Sequence, residues 1–163
     1  MGRRITAVSA REMPYPRDAA LAAIRDIKNI ERTEVKADRV DVEPMTPTQG
    51  TYRVHGHFAA VPWRGEFVYE LNEGGFHSRN AGVPPEEATI EGGFVVTPTA
   101  DGCTVIHYEQ YVLSGPLRLL RHPIQLYLRW SMRRELRDLE ALLACAESAD
   151  ADARSSHELV VAD

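Results

Sequence analysis

The chain is poor in cysteine: only Cys103 and Cys145 occur among its 163 residues. They stand far apart and form no metal-ligand pattern, so neither a disulfide framework nor a zinc module is indicated. A reducing, cytoplasmic compartment is the expectation. No run of about eighteen apolar residues is present, which argues against a helical membrane span. The first residues also lack the apolar core of a secretory signal. Basic charge is scarce, with 19 Lys and Arg against 24 Asp and Glu for a net charge of −5. Nucleic-acid binding is driven by clustered positive charge, so no nucleic-acid partner is expected. Dinucleotide and Walker patterns are missing, and no cofactor is expected.

What remains suits one globular domain. A chain of this length buries roughly 70% of its unfolded surface and needs no covalent staple. Residues 4–12 alternate and predict a strand that ends at Pro14 and Pro16. A short helix follows, with Asp18 in its first turn, Ala20, Ile24 and Ile27 at helical spacing, and a break near Asn29. Val40 and Val42 predict a strand stopping at Pro44. Five more strands are expected over 52–60, 63–71, 76–81, 89–97 and 103–113, separated by turn signals such as Val61-Pro62, Glu73-Gly74-Gly75 and Asp101-Gly102. Such close succession means hairpins and an antiparallel sheet. After Gly115-Pro116, Pro123 suits the first turn of a long helix whose apolar face runs from Ile124 to Leu143. From Ser148 the periodicity stops, so residues 1–147 are read as the domain and 148–163 as a disordered polar tail.

Strand, short helices, a meander of strands and a long terminal helix make up this order. With the Thr99-Ala100-Asp101-Gly102-Cys103-Thr104-Val105 turn and the Gly115-Pro116 stop, it resembles the START-like superfamily of polyketide cyclases, dehydrases and lipid-transport proteins. The resemblance covers about residues 4–146. It implies an α+β helix-grip fold, a curved antiparallel sheet of about six to seven strands wrapped around a C-terminal helix over a cavity. It also implies a hydrophobic small-molecule partner: a polyketide, lipid or isoprenoid. The expected function is that of a polyketide cyclase, aromatase or dehydratase of secondary metabolism. The alternative is a non-catalytic carrier or sensor. A monomer or homodimer without stable membrane insertion is expected in either case.

Alternation sorts the side chains. Tyr52, Val54 and Phe58 place the even face of their strand inward; Trp63, Phe67, Tyr69 and Leu71 place the odd face of the next inward. A two-residue turn at Ala60-Val61 would pair Phe58 with Trp63, His55 with Glu66 and His57 with Arg64. Across the Glu73-Gly74 turn, Leu71 would pair with Phe76 and Tyr69 with Ser78. Ile90, Phe94 and Val96 turn even positions inward in the following strand. An even Asp101-Gly102 loop then turns Val105, His107, Glu109 and Tyr111 inward, whereas an odd loop would offer Ile106, Tyr108 and Gln110.

The expected cavity is lined by Tyr52, Phe58, Trp63, Phe67, Tyr69, Phe76, Ile90 and Phe94, and roofed by Ile124, Tyr127 and Leu128. Ser78, Asn80, His107 and Glu109 are its polar groups. His107 and Glu109 lie two residues apart on one strand face and can share a proton as base and acid in enolisation, cyclisation or dehydration. Tyr69 or Tyr111 could hold a substrate carbonyl oxygen. The His55-Gly56-His57 spacing imitates a metal pair but falls on the outer face, with no third ligand. The charges of the terminal helix, Arg129, Arg133, Arg134 and Arg137 among Glu135, Asp138 and Glu140, read as a solvated face. Gly92-Gly93 reads as a bulge or bend.

Overall fold

In the computed structural model, residues 2–160 are described, with side chains through Ala149. The chain runs β1 (Arg3–Met13), α1 (Arg17–Arg25), a single 3₁₀ turn (Ile27–Asn29), α2 (Ile30–Thr33), β2 (Arg39–Thr46), β3 (Gln49–Phe58) and β4 (Val61–Asn72). It continues through β5 (Gly75–Asn80), β6 (Ile90–Thr99), β7 (Gly102–Leu113), a 3₁₀ segment (Gly115–Leu120) and α3 (Arg121–Val160). The strands form one antiparallel 7-stranded sheet in the order β1-β7-β6-β5-β4-β3-β2. Only β1 leaves sequence order, crossing to pair with β7 along its whole length, Arg3 with Leu113 through Met13 with Cys103.

Period-two patterning settles which face is buried, and α3 lies against that face. Two apolar clusters hold it there. One joins Leu136, Leu139 and Leu143 to α1, Val96, Cys103 and Val105. The other joins Leu128 and Met132 to Ile5, Ala7 and Leu113.

Several details depart from the sequence reading. β2 continues past Pro44 with a register shift between Pro44 and Thr46. It is an edge strand, where a residue without an N–H is tolerated. The β3–β4 turn is Ala59-Ala60, with Ala59 at φ 55°, so Phe58 meets Val61 rather than Trp63. Every pairing there slides by two residues: Trp63 faces Gly56, His55 faces Arg64 and His57 faces Pro62. The slide sets a glycine opposite Trp63 and another, Gly50, opposite Tyr69, which relieves cross-strand crowding, and it leaves both faces unchanged. Leu71 pairs with Phe76, Tyr69 with Ser78 and Val96 with Val105. Gly92 and Gly93 make no bulge; both sit in continuous register. A Cβ at Gly93 would overlap the Phe76 carbonyl, so glycine there permits close strand approach.

The segment from Ser148 is helical rather than irregular, as α3 runs on to Val160. Once the packed turns of α3 are formed, adding Ala-rich residues needs no new nucleus. The last three residues of the expected tail, 161–163, lie outside the described residues.

Candidate functional site

Between the inner face of the sheet and α2 lies a cavity of about 230 Å³. Its wall is aromatic: Tyr52 and Phe67 stack with ring centres 5.2 Å apart, Trp63 meets Phe67 edge-on, and Phe76 and Phe94 continue the surface. Phe58, Ile90 and Tyr111 also line it. The Tyr52 hydroxyl donates to Ser78 Oγ at 2.9 Å, which satisfies both buried groups. An engineered apolar cavity of about 150 Å³ accommodates benzene, so this volume suits a ligand of one or two rings.

Some expected wall residues lie elsewhere. Tyr69 is buried in the core behind Tyr52, with its hydroxyl directed at Gly50. Asn80 accepts from the backbone of Thr89 and Ile90 and secures the start of β6. Leu128 and Ile124 belong to the apolar cluster near β1, and Tyr127 sits behind Phe58 at 4.7 Å between ring centres.

His107 and Glu109 line the cavity from β7 and Glu34 lines it from the end of α2, while Lys36, Ser131 and Glu135 lie buried behind them; sequence reasoning missed these last four groups. Lys36, only 1% exposed, reaches in from the loop before β2. Its Nζ lies 2.7 Å from Glu135 Oε1, 2.9 Å from Glu109 Oε1 and 3.4 Å from Glu34 Oε1. Ser131 Oγ stands at 3.4 Å. His107 Nδ1 lies 3.2 Å from Glu135 Oε2 but out of hydrogen-bond alignment, and His107 Nε2 lies 3.7 Å from Glu109 Oε1. The His107 ring stacks on Phe94 at 4.1 Å, and the Tyr111 hydroxyl donates to Glu109 Oε2 at 3.3 Å.

The backbone fixes Lys36. Trp63 Nε1 donates to its carbonyl at 2.9 Å, and a Cβ at Gly56 would overlap that same carbonyl. The glycine of His55-Gly56-His57 thus admits the Lys36 loop, while the two histidines face outward toward Asp41 and Asp38. One signal for Glu135 was present in the sequence: with Ser131 it sits in the apolar stripe of Leu128, Met132 and Leu139.

Three carboxylates surround one ammonium, so electrostatics separates their protons. Burial works to lower the Lys36 pKa, but Glu109, Glu34 and Glu135 more than reverse it and raise it well above the ordinary value. Burial also works against an ionised Glu135, yet Lys36 and His107 hold that carboxyl down at about 2. Glu34 goes the other way: burial pushes it up to about 7, Lys36 opposes, and Glu135 and Glu109 add to the rise. Burial and then Glu109 raise Tyr111. Near neutral pH, Glu34 is therefore poised to gain or lose a proton at the cavity wall. His107, Glu109 and Glu135 bring ligand atoms within 4.8 Å of one another, close enough for a metal ion. The Lys36 ammonium already contacts both carboxylates, so an ion would have to displace it.

No protein-family model and no curated protein matches the chain. Solved structures do. TTHA0849 from Thermus thermophilus is 18% identical over 88% of this chain and 99% of that one, with a TM-score of 0.72. One StfQ structure, a di-domain ARO/CYC from the steffimycin biosynthetic pathway, is 12% identical over 89% of this chain, with a TM-score of 0.73; the match spans 52% of that longer protein. A STAR-related lipid transfer protein from Xanthomonas axonopodis is 13% identical over 85% of both chains, with a TM-score of 0.65. The chain shares the helix-grip fold of these structures.

Proposed function

We propose that this protein binds a compact hydrophobic carbonyl compound in the cavity and moves protons on it without a cofactor, as a polyketide cyclase, aromatase or dehydratase would. The observation that carries the reading is that Glu34 and Glu109 both line an aromatic cavity while tied to the same buried Lys36. In this scheme Glu109 takes a proton from the carbon beside the carbonyl, and protonated Glu34 donates one to the carbonyl oxygen. The product is an enol ready for ring closure or loss of water. The negative charge that Glu109 loses reappears on Glu34, so the cluster keeps its net charge, and His107 lies between Glu109 and Glu135 within 3.7 and 3.2 Å of them. Tyr111 orients Glu109 through its hydroxyl, and Tyr69, behind Tyr52 and Phe76, has no role in this scheme.

The test uses α-tetralone, a bicyclic ketone of suitable size, and follows deuterium exchange at the carbon beside its carbonyl by NMR. Exchange at least about 10²-fold above buffer is expected, lost in Glu109→Gln, with binding weakened by Trp63→Ala. A second reading, a non-catalytic carrier, is favoured by the way Lys36 engages all three carboxylates. Binding of α-tetralone without exchange, or an intact metabolite retained by the natively purified protein, would select it. Absence of binding would sink both.

A further inference from the structure

The outer side of the molecule near α3 carries a feature that the cavity chemistry does not use. Residues 110–134 contain five arginines, at 118, 121, 129, 133 and 134, and no carboxylate, in a chain whose net charge is −5. The same stretch concentrates exposed apolar side chains. Nine large hydrophobics are exposed among the described residues, and five of them lie here: Leu117, Leu119, Leu120, Leu126 and Trp130. Leu119 is 86% and Leu126 67% exposed, values hard to reconcile with a surface that meets only water.

The geometry explains how this arises. Helical spacing turns Leu128, Met132, Glu135 and Leu139 inward, which leaves Leu126, Arg129, Trp130, Arg133 and Arg137 together on the outer face. Among the described residues Arg129, Arg133 and Arg137 make no ion pair. They line a groove beside β1, with Trp130 in its wall. The 3₁₀ segment Gly115–Leu120 projects its leucines from the corner where β7 passes into α3. Trp130 touches Tyr127, which packs on Phe58 of the cavity wall, so two aromatic rings connect the patch to the cavity.

We infer that this face docks on an anionic lipid bilayer. Arginines beside Trp and protruding Leu match what an interfacial segment requires, with guanidinium groups at the phosphates and apolar side chains among the upper acyl chains. Leu117, Leu119 and Leu120 project into solvent, and a bilayer accepts such projections without shape matching. The inference stands apart from the proposed chemistry.

Flotation of the purified full chain with vesicles tests it. Binding is expected to phosphatidylcholine vesicles containing phosphatidylglycerol, not to phosphatidylcholine alone, and it should be released by high salt. Arg129→Gln and Arg133→Gln should each weaken the partition about fivefold. Leu119→Ser with Leu126→Ser should weaken it at least about tenfold, while Arg64→Gln, on the exposed part of β4, leaves it unchanged. All of these positions are exposed, so folding is preserved and circular dichroism verifies it. The inference is overturned by no flotation with anionic vesicles, by equal binding to neutral ones, or by arginine and leucine variants that bind as the parent does. Capture of an acidic protein without vesicle binding overturns it too.

Discussion

Two buried neighbourhoods lie about a turn apart on the same face of α3 and are held by opposite physics. Around Leu139 the contacts are apolar, spread over many partners, and indifferent to pH. Around Glu135 a single ammonium holds three carboxylates, and each group depends on the others. An apolar core loses stability in proportion to the side chain removed. A buried charge cluster fails as a unit, because taking away one partner leaves the rest charged and unsolvated.

The sharpest way to break the comparison is Lys36→Met, which keeps the apolar stem and removes the ammonium. A loss of about 3–5 kcal/mol is expected at neutral pH by urea denaturation. The deficit should shrink in acid. Glu135 sits at about 2 in the folded protein against an ordinary 4.5, so its contribution is complete above about pH 4.5 and is lost as pH falls through about 2. Leu139→Ala should cost about 2–4 kcal/mol, by an amount that does not change across that range. If both variants showed the same pH dependence, the two neighbourhoods would not be distinct.

Glu34→Gln gives the smallest effect and the finest resolution. The folded-state value of about 7 lies above the ordinary 4.5, so the folded protein holds a proton that the unfolded chain releases. Stability conferred by that proton is lost as pH rises from about 4.5 through about 7. The glutamine variant should gain relative to the parent over this window, by the order of 1 kcal/mol. A parallel pair of profiles would remove Glu34 as the group that titrates.

Much of the fold was legible because strands repeat every two residues. The inward faces of β3, β4, β6 and β7 followed from alternation, and the even loop at Asp101 brought His107 and Glu109 to the inner face. The slide between β3 and β4 was not legible, since a shift of two residues moves no side chain to the other face. Tyr69, Ile124, Tyr127 and Leu128 point the right way yet miss the cavity, because alternation gives a face and not a depth. Lys36 was hidden for a different reason: it stands alone in a loop, where no period marks it. Glu135 looked like one more charge on an arginine-rich helix. Its place in the stripe between Met132 and Leu139 was the only hint that it points inward.

The bond from Lys36 to Glu135 closes a loop between residues 99 apart in the chain. A contact of such long separation carries a large loop-closure cost that is repaid only by the contacts made with it. If the bond is made after the transition state, Lys36→Met will speed unfolding and leave the folding rate nearly untouched in stopped-flow kinetics. The cluster that arms the cavity would then also be the latch that sets how long the closed molecule lasts.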